Sequence, residues 1–117
     1  MMTANNIHGL LVSLLDAAEA GQVTTAQTNH MALVGNVVLL AAADAGHAHA
    51  EACARSWNGA TLAIHHRHTG TASLQVDRDA YLTLRAAGQT LGRWLATQPA
   101  DRITHAYHQA LGLSALH

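Results

Sequence analysis

The 117-residue chain has no lysine and no phenylalanine, one cysteine, and only six arginines against seven acidic side chains. Each scarcity excludes something. A net charge of −1 with neutral histidines argues against a general nucleic-acid coat, because phosphate binding rests on an excess of basic groups. The lone Cys53 forms no intrachain disulfide and supports no zinc knuckle. The amino terminus lacks the basic-then-apolar layout of a signal peptide, so cytoplasmic residence is the expectation. With two Trp, two Tyr and no Phe, the core has to be built from close-packed Ala, Leu and Val. That set suits helices at short separation better than a sheet, since Ala and Leu lead the helix scale while strands favour β-branched and aromatic residues.

Catalytic signatures are missing too. No Ser stands in a Gly-x-Ser-x-Gly elbow, and no Gly-rich phosphate loop precedes a helix. Asp77 and Asp79 flank Arg78 at a helix start, where acids stabilise the helix dipole, and Cys53 sits in an apolar stripe, where a thiol behaves as a small hydrophobe. The expectation is a protein that is not an enzyme and needs no cofactor.

What is present is apolar: half of all residues, concentrated in 31–43, where Asn36 is the one strongly polar side chain. As a helix this run is about 20 Å long, too short for a bilayer but right for a helix enclosed by its neighbours. The length of the chain fits one domain over 1–117. The reading is therefore all-α: a compact bundle of four to five helices around a buried central helix at about 25–45.

Periodicity fills in the rest. A first helix over 5–20 carries Ile7, Leu10, Leu11, Leu14, Leu15 and Ala18 at helical spacing, with Asn5 or Asn6 as its cap and Gly21 as its stop. Thr24 or Thr25 caps the central helix and Gly46 ends it. Gly35 within it marks close approach by a neighbour, and Asn36 is expected to bond a backbone carbonyl or its symmetry mate. A third helix runs from His47 to about His68, provided that Asn58-Gly59 is not a turn; the alternative is α+β, with a small hairpin at 61–76. Asp77 caps a fourth helix whose Tyr81, Leu84, Gly88, Leu91 and Leu95 follow a heptad, and Gly88 and Gly92 invite a close partner helix there. Asp101 caps a fifth helix.

Two surface patterns are candidates for function. Arg78, Arg85 and Arg93 recur at steps of seven and eight on one side of the fourth helix, away from its heptad seam, and three arginines in a row can grip acidic protein or phosphate. His65, His66, Arg67 and His68 would concentrate positive charge on acidification, the basis of a pH-responsive reading. Ten histidines are the compositional outlier, and His65, His68, His105 and His108, as two i,i+3 pairs on facing helices, form the one conceivable metal set. The bland readings are a solvated helix face for the arginines and surface imidazoles for the histidines.

Ala63, Ile64, Arg67, Thr69 and Gly70, followed by a capped helix, loosely resemble small helical proteins of bacteria, their phages and plasmids. The resemblance implies no residue roles. The functional expectation is a non-enzymatic helical interaction module that regulates or inhibits a partner protein, of the kind mobile elements encode. Self-association as a homodimer is expected because low net charge lowers the barrier to it. A histidine-based metal or pH-responsive binder is the first alternative, and a nucleic-acid binder using the arginine stripe the second; no membrane association is expected.

Overall fold

The computed structural model describes residues 4–67 and 73–115. Thr24 opens the central helix with a reciprocal capping box: its hydroxyl accepts from the Gln27 N–H at 3.0 Å, and the Gln27 carboxamide accepts from the Thr24 N–H at 2.8 Å. Gly46, at φ 69°, closes it in a Schellman motif: its N–H donates to Ala43 O, and the His47 N–H donates to Ala42 O. The His47 ring then accepts from the Ala50 N–H, so one residue ends a helix with its backbone and begins the next with its side chain. In chain order the elements are α1 (Ala4–Glu19), β1 (Gln22–Thr24), α2 (Thr25–Ala45), α3 (Ala48–Arg67), β2 (Ser73–Gln75), α4 (Arg78–Leu95) and α5 (Ala100–Ala115).

The first four helices close a ring in which each packs on the next and α4 returns to α1; α5 lies outside it, mainly on α2. Neighbours in the ring run antiparallel. His8, early in α1, covers Gly92, late in α4, and the His47 and Trp94 rings meet at 5.8 Å between the start of α3 and the end of α4. Arg102 of α5 pairs with Asp44 at the far end of α2. The all-α bundle read from the sequence is the fold. The central helix is enclosed as expected, with Met31, Val34, Val37, Val38, Ala41 and Ala42 fully buried. No helix among the described residues is long and apolar enough to cross a membrane.

Three sequence readings are corrected. The hairpin at 61–76 does not form, because α3 continues through Asn58-Gly59 to Arg67; β2 pairs instead with β1, antiparallel, with Val23 opposite Leu74. Three-residue strands leave no alternation to detect, and this ladder plugs one end of the ring with two buried apolar side chains. Asn5 and Asn6 fall inside the first turn of α1, and Asp101 inside that of α5, so neither helix begins where a cap was placed. Asn36 accepts from the Asn58 side-chain amide at 3.2 Å, and the expected donation from Asn36 to a backbone carbonyl is not found among the described residues.

The core is assembled around Trp57. It is fully buried, and its indole N–H donates to Met31 O at 2.8 Å. A Cβ at Gly35 would run into the Asn58 amide and the Trp57 ring; one at Gly88 would meet Leu15 of α1 at 2.9 Å and Trp57 at 3.1 Å. Both glycines are thus hollows that let α2 and α4 reach the one large side chain of α3.

Gly35→Ala is expected to destabilise the chain by about 1–3 kcal/mol, since overpacking outweighs the ~1 kcal/mol gain in helix propensity. Gly59→Ala meets no neighbouring atom within 4 Å and is expected to stabilise by about 0.5–1 kcal/mol. Urea unfolding of the two variants gives opposite signs; equal signs would mean that the close approach at Gly35 is not what limits the packing.

Candidate functional site

Two depressions that lie on opposite sides of the ring hold residues singled out in the sequence. The first follows the seam between α1 and α4. Near the start of α1 it is a groove of about 490 Å³ walled by His8, Val12, Leu15, Gln89 and Arg93, with Leu11, Gly88 and Gly92 beneath. One helical turn further along both helices it continues as a cleft of about 440 Å³ bounded by Glu19, Arg78, Tyr81, Leu82 and Arg85. All three stripe arginines therefore belong to one seam. They border the heptad instead of lying away from it as the spacing had suggested, since Arg78 and Arg85 share the cleft with Tyr81.

The arginines differ in how they are used. Arg55 pairs with Glu51 at 2.8 Å, and Arg102 with Asp44 and the Gln98 carboxamide. Arg78, Arg85 and Arg93 are exposed and take part in no hydrogen bond or ion pair of their side chains among the described residues. Against these three cations the acids of the seam are Glu19 and Asp77, and Asp77 is occupied in capping α4 through the Ala80 N–H at 2.8 Å. A basic rim results, over a mainly apolar groove at Arg93 and a mainly polar cleft at Arg78 and Arg85. The α1 wall follows from His8, Val12, Leu15 and Glu19 at steps of four, three and four, a strip adjoining the core stripe.

The second depression, about 280 Å³, lies between α2 and α3 and is lined by Thr28, Asn29, Ala32, Asn36, Asn58, Thr61, Leu62 and His65. Of the predicted histidine patch, His65 stands on its rim. His66 and Arg67 form the last turn of α3, and His68 lies outside the described residues, so the patch is placed only through its first member. His105 and His108 are exposed on α5. α3 and α5 each pack on α2, so the two histidine pairs are not on helices that face each other, and among the described residues no three His, Cys, Asp or Glu side chains gather as a metal would require.

Cys53 is half-buried on the α4 side of α3, with its sulfur 4.0 Å from His49 Nε2, in a shallow groove shared with Ser56, Thr83 and Thr90. The helical spacing had set it in the apolar stripe, and it lies at that stripe's edge.

No protein-family model matches the chain, nor does any curated protein or solved structure match it significantly. The functional reading therefore rests on these surfaces.

Because Arg85 and Arg93 hold nothing in place, Arg85→Ala, Arg93→Ala and the double variant are expected to unfold within about 0.5 kcal/mol of the parent in urea. A loss above about 1 kcal/mol would assign them to the scaffold.

Proposed function

We propose that this chain is a non-catalytic interaction module that regulates or inhibits another protein by covering part of its surface, and that the α1/α4 seam is where the partner sits. The observation that carries the reading is the set of three exposed arginines, without ion-pair partners among the described residues, along the two adjoining depressions of the α1/α4 seam. From Arg78 to Arg93 the seam extends about 22 Å, the length of four turns of helix. A partner helix with an apolar strip and acidic flanks fits this layout: Val12 and Leu15 take the strip, and the arginines take the carboxylates. Exposed ion pairs contribute only about 0.2–1 kcal/mol each, so affinity comes from the floor while the arginines select and steer the partner.

The test is capture from nuclease-treated native lysate by the tagged full chain, with Arg85→Glu/Arg93→Glu and Arg55→Glu compared alongside. Proteins retained by the parent and by the Arg55 variant, but lost from the double variant and eluted by moderate salt, support the reading. An identical set on all three chains overturns it. Retardation of DNA or RNA at low salt, with no protein lost from the double variant, transfers the arginines to nucleic acid.

A further inference from the structure

We infer that the α2/α3 face binds a second copy of this chain. The face lies across the ring from the arginine seam, so the inference stands apart from the partner reading. Three observations select a copy of itself as the occupant. First, the lining carries no formally charged side chain, His65 being its one titratable group, whereas a two-fold interface sets each residue near its own image and penalises like charges there. Glu51 and Arg55 of α3 pair with each other.

Second, knob and hole come from the same place. Leu62, 57 % exposed, is the most exposed large hydrophobic side chain among the described residues, and it stands beside a depression of about 280 Å³, ample for a leucine side chain. Under a two-fold axis each Leu62 enters the other copy's groove over Ala32. Third, Asn29 and Asn36 keep amide donors that meet no acceptor among the described residues. An amide both donates and accepts, so it can pair with its own image as neither a carboxylate nor a guanidinium can.

The contact is small: along the roughly 31 Å of α2's 21 residues, a seam about 8–10 Å wide offers roughly 250–310 Å² per copy, which suits weak, reversible association below the size of a standard interface.

Sedimentation of the untagged full chain over a concentration series is expected to show reversible association to twice the 12.3 kDa chain mass. Leu62→Glu, at an exposed position, is expected to raise the dissociation constant roughly a hundredfold or more, because each dimer loses the contact twice. Asn36→Asp keeps an oxygen for the Asn58 amide but sets like charges near the axis; it is expected to weaken association in a way that added salt partly restores. Arg85→Glu should leave the dimer intact. A parent that stays monomeric throughout overturns the inference, as does a dimer indifferent to both α2/α3 substitutions or dissociated by Arg85→Glu.

Discussion

One indole sets the spacing of the bundle. A core of Ala, Val and Leu packs helices closely, and into it α3 inserts Trp57, the largest side chain that is wholly enclosed. Two adjustments accommodate it. α2 and α4 each present a glycine to the ring, Gly35 and Gly88, and α2 supplies the Met31 carbonyl for the indole N–H. Without that acceptor the buried donor would cost about 1–3 kcal/mol. The same residue thereby fixes α3 against α2 and α4, and through Gly88, where Leu11 and Leu15 also converge, it sets how near α1 comes. Replacing such an anchor by Ala in a core of this kind costs about 3–5 kcal/mol, a large part of what holds a small domain folded.

The glycines that admit the indole also shape the surface. Gly88 and Gly92 let α1 lie close against α4, with Leu15 over the one and His8 over the other, and the depression along this seam is walled by half-buried Leu15 and exposed Val12. On the other side of the ring, Asn58 follows Trp57 in sequence and is carried into contact with α2. Its amide donates to Asn36, and its oxygen is enclosed against Gly35 without a hydrogen-bond partner among the described residues. The polar floor of the α2/α3 depression is in this sense a by-product of how Trp57 is seated. α1 buries Ile7, Leu11 and Leu14 and α5 buries Ile103, Ala106 and Ala110 within the chain.

Legibility in the sequence followed the strength of local signals. α2 could be read to within a residue or so, because its cap, Thr24 or Thr25 in the sequence and Thr24 in the fold, and its stop Gly46 act through backbone groups within five positions. α4 was equally plain from Asp77 and its heptad. α3 was readable despite Asn58-Gly59, since in a helix an exposed glycine costs only about 1 kcal/mol while the apolar period on both sides carries more. The β1/β2 ladder was not readable: it joins two three-residue segments about fifty positions apart, and nothing local to either one announces the other. At the surface, the arginines were found as a period on one helix. Their availability was not, because whether an arginine is already paired depends on neighbours such as Glu51 and Asp44, one on the same helix and one from another element.

The placement of the two faces has a consequence that neither has alone. In a ring of four helices the α1/α4 and α2/α3 seams point in opposite directions. Two copies joined across α2/α3 would turn both arginine seams outward, away from each other and from the axis, so that each remains open. Two single-sided grooves of modest affinity, held rigidly in one body, engage a repeated or dimeric partner with an effective concentration set by their separation, and the gain over one groove is commonly 10²–10⁴-fold where the spacing matches. Assigning a neutral, amide-bearing face to itself and a basic one to its target lets charge decide which contact is made with which molecule, because arginine-lined seams repel their own copies and a face without charge has nothing with which to select an acidic partner.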